Sequence, residues 1–249
     1  MSPRLRLAVF GAGAAVLAVL FALAVADLPR FGAGWHPYRD LAVAAALRHA
    51  TANVVSSVTF DQRGYDTLGE ECILLGSVVG ATALLRPRKG EAQRQVTDEG
   101  RQLAPVNLMS YVFRPLTLLL GLDLIAHGHL TPGGGFQGGV VLATGLHLLY
   151  LAEGYPALQK LRPLDWYEWT EGLTTAAFAG LALGALVFGT GVLANDLPTG
   201  TLQQFWSAGT VPVLNVVAGF AVGGGAVVLL AQFLTQAVAT TDGNEDEGD

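Results

Sequence analysis

The chain has 249 residues, of which 51% are hydrophobic and only 14% charged, with a mean hydropathy of +0.45. Soluble domains carry about 25% charged residues, so this composition excludes an ordinary soluble domain and predicts an all-α, polytopic integral membrane protein. Five of the acids behind the net charge of −6 lie in residues 241–249, and the rest of the chain balances 14 basic against 15 acidic residues, which leaves no basic surface for nucleic acid.

The first span, Leu7–Ala26, is uncharged and long enough, at roughly 1.5 Å per residue, for a hydrocarbon core about 30 Å thick. A cleaved signal peptide is the alternative, since Arg4 and Arg6 precede the run and Ala24-Val25-Ala26 suits a cleavage site. The apolar stretch exceeds the ~7–15 residues usual for such signals, which favours a retained helix. Its Gly11-Ala-Gly-Ala-Ala stretch lacks the preceding strand and third glycine of a dinucleotide fingerprint. Thr67–Leu85, Val112–Ile125, Phe136–Ala152, Gly172–Leu193 and Val211–Val238 complete six expected spans. Cys72, the single cysteine, excludes an intrachain disulfide and a cysteine metal cluster.

Orientation follows from the basic residues. Arg86, Arg88, Lys89, Arg94 and Arg101 follow the second span, and Lys160 and Arg162 follow the fourth, whereas Ala194–Thr210 carries none. This asymmetry predicts cytoplasmic termini in a multi-pass protein of the cell membrane. Arg30, Arg39, Arg48 and Arg63 oppose it from the segment before the second span, accompanied by Asp27, Asp40, Asp61 and Asp66.

Between the third and fourth spans lies His127-Gly-His-Leu-Thr-Pro-Gly-Gly-Gly-Phe-Gln-Gly-Gly139. Thr131 suits an N-cap and Pro132 a first helical residue. Gly134/Gly138 and Gly135/Gly139 then form overlapping small-residue pairs for close helix packing in lipid. A functional alternative is that the helix N-terminus beside His127 and His129 holds an anion or relays protons. The two histidines are short of the three or four ligands that a metal site normally recruits, with only Asp123 nearby to add, so no metal is expected.

Ionisable residues within spans carry the stronger signal, because burying a charge in lipid costs at least ~2.5–3.5 kcal/mol. These are Glu70, Glu71, Asp123 and His147; the expected cation or proton path is Glu70, Asp123, His127 and His147, with Glu71, Asp66, His129, Arg114 and Glu153 as secondary candidates. Asp123 and His127, four apart, share a helix face. Arg114 lies out of phase with Asp123 and is matched with Glu153. Thr67-Leu-Gly-Glu70 also fits a capping box, so Glu70 reads equally as a cap or an ion site.

The segment Asn107–Gln236, with HGHLTPGGGFQGGVVLA, NDLPTG and SAGTVPVLN, resembles the B-type subunit (MnhB/MrpB) of the Mrp (Mnh) multisubunit sodium/proton antiporters. Thr51–Leu85, with TANVVSSVTFDQRGYDTLGE, resembles the C-terminal end of the A-type subunit of the same complexes. The resemblance implies an N-terminal module over residues 1–90, a cytoplasmic linker over 91–106, an MnhB-like membrane domain over 107–239 and an acidic disordered tail over 240–249.

It further implies a complex that exchanges Na+ for H+ without a cofactor, with other membrane subunits, including large antiporter-like ones, and the lipid bilayer as partners. Those large subunits have buried lysines, whereas Lys89 and Lys160 here fall in loops, so this chain is expected to be a smaller subunit that packs against them and contributes carboxylates. By motif position Glu70 matches the family glutamate, and Glu71 departs from the pattern, as a neighbour expected to face headgroups or a partner. A redox-driven pump such as a membrane-bound hydrogenase contains similar subunits and is the alternative. An autonomous membrane enzyme built on His127, His129 and Asp123 is a further one, although no nucleophile elbow or phosphate loop accompanies them, and no enzymatic activity is expected.

Overall fold

In lipid a backbone must satisfy its own hydrogen bonds, and helices do so within one segment. The computed structural model describes residues 2–28, 32, 34, 36–85, 104–153, 164–187 and 190–243. Its elements are α1 (Pro3–Ala26), α2 (Pro37–Arg48), α3 (Val54–Ser57) running into a π-helical turn (Val58–Gln62), α4 (Gly64–Leu85), α5 (Ala104–Ala126), α6 (Gly135–Glu153), α7 (Leu164–Val187) and α8 (Val211–Gly243). Among the described residues six helices, α1 and α4 to α8, are long and apolar enough to cross a membrane.

Several expected boundaries move. The fifth span starts at Leu164 and stops at Val187, not Gly172–Leu193, because the chain turns at Leu193, whose φ is +58°. α5 begins at Ala104, so the last residues of the expected linker are helical; the basic residues Arg86–Arg101, Lys160 and Arg162 lie outside the described residues. α8 continues to Gly243, so residues 240–243 of the expected tail are helical, with no proline after the apolar run to stop it. Residues 244–249 lie outside the described residues.

The chain forms two compact units, Met1–Asp40 and Leu41–Asp249. In the first, Ser2 caps α1 by accepting from the Leu5 backbone N–H at 3.3 Å. In the second, α8 is the central helix and touches α4, α5, α6 and α7. Its Ala218, Gly219, Ala221 and Gly223–Gly225 let neighbouring backbones come close, the usual basis of helix association in lipid. The core beside it gathers Phe60, Phe178, Ala182, Leu193, Ala208, Val211, Leu214 and Ala218. Phe60 is delivered by the π-helical turn, with its ring 6.4 Å from both Phe136 and Phe178.

Candidate ion-path site and the connector beside it

The connector is held from three directions. Asn53 donates through Nδ2 to the carbonyls of Gly128 and Thr131 at 2.7 and 2.8 Å, and its backbone N–H donates to the His129 carbonyl at 3.0 Å. Asn215 of α8 accepts from the Gly135 N–H at 2.8 Å while its Nδ2 donates to Ser56 Oγ at 2.8 Å and to the Val211 carbonyl at 3.0 Å. The first N–H of α6 is therefore capped by a side chain 80 residues away in sequence. Thr131 and Pro132 do not start this helix: Gly133 and Gly134, at φ +130° and +140°, interpose a conformation that side chains rarely adopt. Thr131 Oγ1 instead donates back to the His127 carbonyl at 3.3 Å, closing α5.

The glycines divide their work. Gly139 faces Gly219 of α8, where an added Cβ would stand 2.5 Å from the Gly219 carbonyl oxygen, and Gly135 meets the Asn215 carbonyl on the same face. Gly138 faces α5, 2.5 Å from Ile125 Cγ1 on the same construction. Gly134 lies in the turn rather than on the helix, so its expected pairing with Gly138 is not a helical one. The glycine face packs inside this chain.

His129 is fully buried and its Nε2 lies 2.9 Å from the Phe205 carbonyl; since a carbonyl only accepts, Nε2 carries the proton. The Phe205 ring lies edge-on to both His127 and His129, at 5.4 and 6.1 Å. Burial holds the His129 pKa below its ordinary value near 6.5, against the opposing pull of the Phe205 carbonyl, and His127 adds to the lowering. The sign follows: the folded state disfavours protonation, so its contribution is intact above about pH 6.5 and is lost as the pH falls below that value. Acidification from about pH 7.5 to about pH 5.5 should raise amide exchange in residues 127–134 and 199–210, and His129→Gln should abolish that pH dependence. Unchanged exchange in the parent chain would contradict the assignment.

The loop leading to α8 explains the NDLPTG and SAGT motifs. Asn195 Oδ1 accepts from the Thr210 N–H at 2.8 Å and its Nδ2 donates to the Ala208 carbonyl at 3.2 Å. Gly209, at φ +60°, leaves the Asn195 amide the space a side chain would take.

The expected side-chain pairings form where helical phase allows. His127 Nδ1 lies 2.9 Å from Asp123 Oδ1, and Arg114 Nη1 3.2 Å from Glu153 Oε1. Asp66 is exposed and pairs with Arg63. A contact not anticipated joins His49 Nδ1 to Asp61 Oδ2 at 2.6 Å, the aspartate being the buried member. His147 lies against the backbone of Ala226 in α8.

The two glutamates of α4 reverse the expectation. Gly64, Thr67, Glu71 and Val78 form the buried stripe of α4, so Glu71 is 1% exposed whereas Glu70, about 100° around the helix, is exposed. The expected outward-facing neighbour is the one inside. Nor does Thr67 cap the helix: α4 begins at Gly64, and Thr67 Oγ1 donates to the Thr59 carbonyl at 2.5 Å, which ties α4 to the π-helical turn. α7 likewise buries a carboxylate, that of Glu171, which is 2% exposed. Sequence reasoning passed over Glu171 because its fifth span began one residue later; the signal was Glu171, Thr175, Phe178 and Ala182, spaced as one helical face.

Six membrane-length helices among the described residues and a glycine-packed bundle with buried carboxylates define a multi-pass membrane protein. Residues 105–228 match the family described as a domain related to the MnhB subunit of Na+/H+ antiporter. The chain belongs to this Mrp/MnhB-type family.

A probable K+/H+ antiporter A/B subunit of Rhizobium meliloti is 28% identical over 72% of this chain, and the chain spans 19% of that protein's length. The B subunit of the Na+/H+ antiporter of Bacillus subtilis is 36% identical over 30% of the chain, which spans 51% of it. Among solved structures, a chain of the membrane-bound sulfane sulfur reductase, an archaeal respiratory membrane complex, is 28% identical with a TM-score of 0.70, covering 92% of this chain and 98% of its own. A chain of the Mrp complex from Dietzia sp. DQ12-45-1b shares the fold, at 22% identity and a TM-score of 0.66, over 93% of this chain and 26% of its own.

Proposed function

We propose that this chain is a membrane subunit of a multisubunit monovalent-cation/proton antiporter, which packs against large antiporter-like subunits and lends carboxylates to the cation path. The observation that carries the reading is the MnhB-related domain over residues 105–228, joined in one chain to the α4 module, as in the Rhizobium relative whose name joins the A and B types. Na+ and H+ are the exchanged ions, no cofactor is required, and the chain is not itself an enzyme. The loop charge asymmetry supports cytoplasmic termini. Glu70, exposed on α4, meets a partner subunit, while Asp123, His127 and His147 are the other members of the path. The likeness to the sulfane sulfur reductase chain over nearly its whole length favours one second reading, a subunit of a respiratory ion-pumping complex.

Affinity purification of the tagged chain should bring down antiporter-like membrane subunits, and vesicles holding that complex should exchange Na+ for H+. Glu70→Gln should leave the complex assembled and remove most of the exchange, because glutamine neither carries charge nor takes up a proton. A chain that purifies alone would overturn the reading, and co-purification with iron–sulfur subunits would favour the second.

A further inference from the structure

The π-helical turn that carries Phe60 into the core carries, one residue later, a buried carboxylate. The Asp61 side chain is 6% exposed, and among the described residues its one polar partner is His49, whose Nδ1 lies 2.6 Å from Oδ2. Two bare acceptors do not approach so closely, so a proton lies between them. The imidazole is 45% exposed. With Nδ1 turned to Asp61, Nε2 is the nitrogen left to solvent. The pair does more than tie α2 to the turn, because Gln62 already does that: its Nε2 donates to the Ala42 carbonyl and to Ser57 Oγ, both at 3.0 Å. A neutral pair would serve equally well as a tie, whereas burying a carboxylate costs several kcal/mol.

The other charged groups of α2, the turn and the start of α4 are Arg39, Asp40, Arg48, Arg63, Asp66 and Glu70, all exposed. Arg39 pairs with Asp40 and Arg63 with Asp66. α3 and α8, which also pack on the turn, bring no charged side chain as far as Thr240. Asn53, between His49 and Asp61 in the chain, donates to the Gly128 and Thr131 carbonyls. The pair therefore lies at the end of the bundle where α5 turns into α6, the end that the loop charge asymmetry assigns to the outside. Inward, the same turn holds α4 through Thr67 Oγ1 and the Thr59 carbonyl. One helical turn further along the buried stripe of α4 stands Glu71, 1% exposed, with neither carboxylate oxygen partnered among the described residues. The π-helical turn thus joins a carboxylate that solvent reaches through a histidine to the helix bearing one that solvent does not reach, and ionisable groups within a membrane bundle mark ion and proton routes.

We propose that His49 and Asp61 form a proton port, at which a proton from solvent enters through the imidazole and is handed to the buried carboxylate. A proton taken up at Nε2 makes an imidazolium, whose Nδ1 proton crosses the 2.6 Å contact to Asp61 Oδ2. The ring is then neutral with its proton on Nε2, Asp61 releases its own proton inward, and exchange of the ring with solvent restores the first tautomer. One proton enters and one leaves, with no change of oxidation state. The port rests on the reading of the chain as an antiporter component and deepens it by assigning the point at which the proton meets solvent.

Proton-driven uptake of radioactive Na+ by vesicles holding the assembled complex tests the port. His49→Gln keeps a donor for Asp61 and Asp61→Asn keeps an acceptor for His49, so each preserves the tie and removes the relay. Both are expected to assemble and to slow uptake by about tenfold or more. His49→Ala should be slowed likewise and recover when imidazole is added to the medium, whereas Asp61→Asn should not recover. The parent and His36→Gln, which changes an exposed histidine, should keep the parent rate with or without imidazole. Should one of the two conservative variants fail to assemble, the other decides. Parent-like uptake in either of them, His49→Ala that imidazole does not restore, or failure of both to assemble would overturn the port. Those results beside a parent complex that exchanges Na+ for H+ leave the proposed function standing, while a parent that brings down antiporter-like subunits and exchanges nothing would sink both.

Discussion

Gly139→Leu should destabilise the chain severely, by about 3 kcal/mol or more, because the new side chain meets backbone that has nowhere to go. A Cβ at this position would stand 2.5 Å from the Gly219 carbonyl oxygen, 3.0 Å from Val222 Cβ and 3.1 Å from the Gly223 nitrogen, so α6 and α8 would have to separate. The effect belongs to folding of this chain rather than to docking of a partner, as the facing residues are its own. Gly180→Leu is the control, since nothing lies within 4 Å of its added Cβ. Thermal unfolding of the detergent-solubilised chain, followed by size-exclusion chromatography, should separate the two. Equal midpoints for Gly139→Leu, Gly180→Leu and the parent would refute the packing account.

Asn215→Leu comes next in expected size. The substitution keeps a similar volume in a fully buried position but removes the acceptor for the Gly135 N–H and the donor to Ser56 Oγ. Orphaned buried groups cost about 1–3 kcal/mol each, and lipid supplies no replacement, so a loss of about 2–4 kcal/mol is expected. Because Asn215 joins α8 to α3 and α6 together, the damage should spread: amide exchange should rise at Gly135–Gly138 and at Ser56–Ser57, not only around residue 215. Exchange raised only in α8 would show that the amide is dispensable to the other two helices.

The carboxylates show how far a sequence reads and why it stops. Asp123 with His127 was legible because four residues along a helix is a local relation, and the structure closes that pair at 2.9 Å. Glu70 and Glu71 present the opposite case. Adjacent residues point about 100° apart, but which of them turns inward depends on where α7 and α8 lie, and an apolar helix offers no polar face to settle it. α4 is apolar nearly all round, which suits lipid on one side and helices on the other equally well.

What the amino-acid sequence determined by itself is therefore whatever depends on near neighbours and on composition: an all-helical membrane protein, its six spans, and the small-residue signature of close packing. Transfer of an apolar run into lipid is a sum over its own residues, so it can be added up without knowing the fold. The tertiary structure alone decided what depends on partners distant in the chain. Asn215 caps a helix 80 residues away, Gly135 and Gly139 meet α8 while Gly138 meets α5, and Glu71 turns into the bundle rather than outward. Each is a contact between helices, whose rotation about their own axes is set by the fit of side chains against a neighbour, and a hydrophobic pattern that runs all round a helix does not encode that rotation.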